Sequence, residues 1–181
     1  MKTPFEEEFF SVLKTRRSCR AFKPDLVSEA LIRRVAEAGS WAASGRGMQA
    51  PSVLAVTNPE WRECLRRINA EVLGAPPDAD PFYGAPCILV TVGDKTRNTV
   101  VEDGALCLGN MMLEAEALGL ASCWIHRARE TFERPEAQAL LRLCGLDPAQ
   151  TIGIGNLALG YAAAASAPAK PRKPDFLHLV P

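Results

Sequence analysis

The chain has 181 residues, and 21 Lys plus Arg stand against 21 Asp plus Glu, so its formal net charge is zero. That length suits one domain, spanning residues 1–181, with a full hydrophobic core, and the charge balance excludes a general attraction to nucleic acid or an anionic membrane. Six cysteines without a C-x-x-C pair, and only two histidines set far apart, argue against a disulfide framework and a metal cage; the thiols read as small buried hydrophobes.

The N-terminus is acidic and lacks the apolar run of a signal peptide, which predicts a cytoplasmic protein. Residues 5–14 place Phe5, Phe9, Phe10, Val12 and Leu13 beside three glutamates, the pattern of a short amphipathic helix. The helix runs into TRRSCRAF, where Arg16, Arg17, Ser18 and Arg20 crowd three guanidinium groups and a hydroxyl together. Like charges this close repel unless an anion sits among them, and phosphate accepts bidentate bonds from arginine. A solvated basic patch beside the glutamates is the alternative, and spacing leaves both open.

Ser28 reads as the N-cap of a helix over 29–38, with Leu31, Ile32, Val35 and Ala36 on one face. The loop WAASGRGMQAPS follows, and its Gly45 and Gly47 permit a close backbone approach to a flat ligand or an ordinary connection. A strand over 53–57, a helix over 59–70, a proline-containing surface loop and a continuous apolar strand over 87–94 come next. Residues 101–119 are almost all apolar or small. They predict one helix of about five turns, closed by Gly119 and buried either as a core helix or as half of a subunit interface. It is too short and interrupted to span a bilayer. LASCWI reads as a buried strand whose tip, at Trp124, Ile125 and His126, returns to something polar. A helix over 135–144 and a strand over 151–161 complete the pattern. The low-complexity stretch 162–168 reads as a linker, and Lys170, Arg172 and Lys173 form a second basic cluster before a last expected strand over 176–180.

No dinucleotide fingerprint, P-loop or nucleophile elbow is present. Cys123 lies near His126, but residues three apart on a strand face opposite ways, which argues against a thiol–imidazole pair. Two basic clusters, a Ser/Gly/Gln loop and a polar strand tip are parts of a binding site without an evident acid, base or nucleophile. A protein whose chemistry belongs to a cofactor has this character.

The ordered set RRSCRAF, WAASGRGMQAPS, DPFYGAP, EDGALCLGNMMLEAEALGLASCWIH and a late GY followed by KPRK resembles the nitroreductase family of flavoenzymes along nearly the whole chain. The resemblance implies an α+β fold, a central and mostly antiparallel sheet wrapped by helices. It also implies an intertwined homodimer with an FMN site at each interface, the arm 162–181 reaching the partner, and the last strand joining the partner's sheet. Carried over by position, Arg16, Arg17, Ser18 and Arg20 hold the FMN phosphate and ribityl chain, joined by Lys170 or Arg172. Ala43, Ser44, Arg46 and Gln49 contact the flavin, some from the other subunit. Ile125 and His126 set backbone groups against the ring, and Asn69 reaches it as well. Gly47 stands where many members have Asn, and Ala50 where Pro is usual, so flavin and substrate contacts differ in detail. The chain is also too compact to build a substrate lid, which implies an open site and loose preference.

The implied activity is hydride transfer from NADH or NADPH through the flavin N5 to a nitroaromatic, quinone or similar acceptor, in ping-pong order. No side chain is needed as proton donor, since water serves, and Arg46 is the expected cation beside the flavin pyrimidine. The alternatives are a specialised chemistry such as reductive dehalogenation or flavin breakdown, a flavin carrier or sensor without turnover, and a plain α/β domain with decorative basic clusters.

Overall fold

The computed structural model describes residues 4–180. Its centre is a four-stranded antiparallel sheet of β1 (Pro51–Val56), β2 (Cys87–Asp94), β3 (Ala121–Ile125) and β4 (Thr151–Gly160), in the spatial order β1-β2-β4-β3. The two central strands are apolar on both sides because both faces are covered. One face carries α2 (Glu29–Ser40) and α4 (Val100–Ala117), packed through Ile32, Val35, Leu108 and Met111 onto Leu89 and Leu157. The other carries α3 (Pro59–Leu73), α5 (Ala128–Phe132) and α6 (Pro135–Leu143), packed through Leu65, Ile68, Phe132 and Leu141 onto Ile88, Val90 and Ala158. The N-terminal helix α1 (Pro4–Thr15) lies against α4. No helix among the described residues is long and apolar enough to cross a membrane.

Local chemistry sets these elements where the sequence places them. Ser28 Oγ accepts from Leu31 N–H at the start of α2, and Asn58 Oδ1 accepts from Glu60 and Trp61 N–H at the start of α3, with Pro59 in its first turn. Gly39 lets α2 approach α4 closely, since a Cβ there would meet Cys107 Sγ at 2.8 Å and Met111 Cγ at 2.9 Å. A bulge between Thr91 and Val92 shifts the β2–β4 register and leaves Ile154 as the extra residue, turned onto the α4 face.

Three expectations are corrected, and one concerns a partner chain. First, α4 is buried on one face only: Cys107, Leu108, Met111 and Ala115 are covered, while Val101 and Leu106 face outward, so it is not a core helix within one chain. Second, Phe9, Phe10 and Leu13 of α1 are exposed, because that helix touches little but α4. Third, residues 176–180 form no strand within the chain, where Phe176 and Val180 are 86% and 90% exposed; the neighbour expected for that strand is the partner's sheet. Fourth, Cys144 is exposed and Cys64 only half-buried, although the other four thiols are core residues.

Candidate functional site

The arginine cluster follows the end of α1. Arg17 turns back, and its Nη1 donates to the carbonyls of Lys14 (2.6 Å), Thr15 (3.2 Å) and Arg16 (2.7 Å). Within the chain it therefore caps carbonyls that the helix leaves unpaired. Residues 18 and 19 then run beside β3: Ser18 and Ser122 form a parallel bridge, and Cys19 N–H donates to the Ser122 carbonyl at 2.9 Å. The buried Cys19 anchors this crossing.

Arg16, Ser18 and Arg20 surround Cys123 of β3. Burial pushes the Cys123 thiol up from its ordinary range, while the charge of Arg20, a hydrogen bond from Ser18 and the charge of Arg16 act the other way. Arg16 is half-buried, and its Nη1 is fully enclosed without an acceptor. Leaving a buried charged donor unpaired costs several kcal/mol, on the order of 1–3 or more. Among the described residues no carboxylate pairs with Arg16 or Arg20, whereas Arg33, Arg34, Arg62, Arg66, Arg67 and Arg97 all have acidic partners. An oxyanion of the phosphate type fits this donor set.

At the far end of β3 the chain is held from several sides. Asn156, fully buried on β4, donates its Nδ2 to the Ile125 carbonyl at 3.3 Å. Thr131 Oγ1 donates to the Arg127 carbonyl at 2.6 Å. The Ala128 carbonyl rests on Gly153, where any Cβ would overlap it. Ile125 is buried, His126 is exposed, and Trp124 packs against the α4 face with its indole N–H over Gly155.

Ala43, Ser44, Arg46 and Gln49 sit elsewhere. Their loop leads into β1, and β1 and β3 are opposite edges of the sheet, three strand spacings or about 14 Å apart. A 3-10 turn (Gly45–Gly47) occupies the loop, with Arg46, Gly47 and Gln49 at φ of 54°, 67° and 49°. Gly47 has open space around its Cβ position, so its place here is a matter of backbone conformation; Asn is the side chain that tolerates this region best. Asp103 of α4, 4% exposed, holds the loop through Gly45 N–H (2.9 Å to Oδ1) and also accepts from Thr99 Oγ1 (3.2 Å to Oδ2). Ser44 Oγ accepts from Gln49 N–H at 3.0 Å. A cleft of about 210 Å³ opens beside this loop, between α2 and β1.

The sequence-derived residues thus divide into two groups. Arg16, Ser18, Arg20, Ile125 and His126 line the β3 edge, and Ala43, Ser44, Arg46 and Gln49 lie by β1. Lys170 and Arg172 are exposed in the arm and make no hydrogen bond or ion pair among the described residues. Asn69 joins neither group within the chain, and its Oδ1 is enclosed without a donor. It is fully buried, and its Nδ2 donates to the Leu65 carbonyl and Thr131 Oγ1, both at 3.0 Å. Sequence reasoning missed Arg127, whose Nε is buried without an acceptor. Only its place directly after His126 marked it.

The sequence model of the nitroreductase family matches residues 13–161. The chain belongs to the nitroreductase family. The nitroreductase with bound FMN from Bacteroides fragilis is 28% identical, with a TM-score of 0.84 over 96% of this chain and 98% of the other. The nitroreductase with bound FMN from Desulfitobacterium hafniense is 25% identical, with a TM-score of 0.85 over 99% of this chain and 100% of the other. An NADPH-dependent oxidoreductase of Staphylococcus saprophyticus is 27% identical over an alignment of 176 positions that covers 85% of this chain. The chain spans 64% of that relative's length. The family accounts for the α+β fold with its four-stranded sheet.

Proposed function

We propose that this nitroreductase-family chain is an FMN-dependent oxidoreductase that uses NADH or NADPH to reduce a nitroaromatic, quinone or similar acceptor, working as a homodimer. The observation that carries the reading is the enclosed, acceptor-free Nη1 of Arg16 in a cluster without carboxylates. Two structural relatives that hold FMN extend over nearly the whole chain, which supports the same cofactor here. When bound, FMN supplies two-electron chemistry, accepting a hydride from the nucleotide and passing it to the acceptor.

The residues of the chain have binding and orienting roles. Arg16, Ser18 and Arg20 take the phosphate, which satisfies the buried guanidinium, and Arg17 supports them by fixing the end of α1. The Ile125 carbonyl, held by Asn156, and the backbone at His126 border the ring edge. Ala43, Ser44, Arg46 and Gln49 complete the site of the other subunit, since within one chain they lie across the sheet from β3. Arg46 brings a cation to the pyrimidine side, where it favours negative charge on the reduced cofactor. Lys170 and Arg172 approach the phosphate from the arm. Leu26 (79%), Trp41 (81%), Leu106 (52%) and Phe176 (86%) are large apolar side chains left exposed, as an associating chain would leave them. No enclosed acid is required, because water delivers the proton.

An anaerobic absorbance titration of the FMN-loaded protein tests this. NADH or NADPH should bleach the flavin band, a nitroaromatic or quinone should restore it, and double-reciprocal plots should be parallel because donor and acceptor use one site in turn. Flavin that neither nucleotide reduces, or intersecting lines, would refute the shared-site reading.

A further inference from the structure

We propose that Arg127 reads an oxyanion on the molecule that reacts at this site, so that the site favours ligands carrying a carboxylate or phosphate over neutral ones. This rests on the oxidoreductase reading above and adds the class of ligand.

Arg127 follows the tip of β3 directly, and its backbone is immobilised. Its carbonyl accepts from both Thr131 N–H (3.0 Å) and Thr131 Oγ1 (2.6 Å), and that hydroxyl accepts in turn from the fully buried Asn69. On one side Asn156 holds Ile125, and on the other Gly153 admits the Ala128 carbonyl. The guanidinium differs in kind from that anchored backbone. Its Nε is enclosed without an acceptor, and among the described residues the group makes no hydrogen bond and no ion pair. Neighbouring Arg129 and Arg134 also form no hydrogen-bonded ion pair, but both are exposed and Arg134 lies within reach of the Glu136 charge, whereas Arg127 is half-buried. A partly desolvated cation without a counter-charge, on a fixed backbone, is a preorganised anion reader, and arginine's fork matches a carboxylate or phosphate bidentately. Arg16 has the same orphaned state near the start of β3, but the FMN phosphate accounts for it. Nothing in the FMN reading accounts for Arg127.

The oxyanion has two sources, a carboxylate on the acceptor or a phosphate of the nicotinamide nucleotide. Wild type, R127Q and R127K are compared with 4-nitrobenzoate against 4-nitrobenzamide as acceptors, with NADH and NADPH as donors. Benzoate and benzamide are titrated against the bound flavin's absorbance as a readout without turnover. In R127Q the acid-to-amide ratio of kcat/KM, and the corresponding ratio of binding constants, should fall about ten-fold or more, with partial recovery in R127K. If instead KM for both nucleotides rises about ten-fold while the acid-to-amide ratio is fixed, the reader acts on the nucleotide phosphate, which also upholds the inference. Unchanged ratios and nucleotide KM values in an FMN-loaded R127Q overturn it while leaving the oxidoreductase reading intact. A variant emptied of FMN overturns it too, because Arg127 then holds the cofactor. Wild type that binds no FMN refutes the oxidoreductase reading and this inference with it.

Discussion

Replacing Asp103 by Ala should loosen the loop that carries Ala43, Ser44, Arg46 and Gln49. Two of its residues, Arg46 and Gln49, hold left-handed backbone angles without being glycine, which costs about 1–2 kcal/mol each. That strain persists only because other contacts over-determine the loop. The Asp103 carboxylate is the main one, accepting from Gly45 N–H at 2.9 Å in a nearly closed environment. A hydrogen bond to a charged group contributes about 1.5–3 kcal/mol, and a carboxylate in the first turn of α4 adds about 0.5 through the helix dipole. D103A should therefore cost about 2–3.5 kcal/mol of global stability in urea unfolding, with amide exchange at residues 44–50 rising beyond the increase seen in the core. D103N, which keeps an acceptor but loses the charge, should recover about half of the loss. A cost below about 0.5 kcal/mol, with exchange in 44–50 unchanged, would show that the loop holds itself and would refute the tether.

Further outcomes follow from the same geometry. R16Q should weaken FMN binding by about ten-fold or more without lowering the stability of the FMN-free protein, since it removes an enclosed unpaired donor; R17A should instead destabilise by about 0.5–1.5 kcal/mol through lost bonds to the α1 carbonyls. Calorimetric titration with FMN and thermal melts of both variants distinguish these roles. Gly153→Ala should cost about 3 kcal/mol or more, because its Cβ overlaps the Ala128 backbone and neither backbone can yield cheaply. Urea unfolding measures that, and a near-neutral result would mean α5 is not pinned there. Burial pushes the Cys87 thiol up to about 12, so a maleimide at pH 8 should label exposed Cys144 well before Cys87, read by peptide mass mapping. Because the native thiol keeps its proton above the unfolded value of 9.0, this group's stabilisation is complete below that pH and is lost as pH rises from about 9 toward 12, by about 1.4 kcal/mol per unit. Stability that is flat between pH 9 and 10.5 would contradict the closed environment of Cys87.

Much of the fold is legible locally. Strand β2 is found at both ends because an unbroken apolar run between Pro86 and Asp94 has few other fates, and Ser28 and Asn58 mark helix starts by chemistry that needs no distant partner. Helix α5 is not legible, for five residues carry too little periodicity to register and are held by Thr131 and Gly153 rather than by propensity. The expected strand over 176–180 has the right alternation, but a strand needs a neighbour, and the neighbour the family resemblance implies is in another subunit. Asn69 and Arg17 carry the right chemistry for a site and within the chain serve packing and capping.

The sequence by itself determined most helix and strand segments and the places where basic and small polar residues gather, because each depends on residues close in the chain. Only the tertiary structure decided which arginines find partners within the chain and which helix face stays open. It also decided that the two groups of site residues stand at opposite sheet edges. Those are questions of long-range pairing order and of who fills each buried hydrogen-bonding position, and no local pattern encodes them.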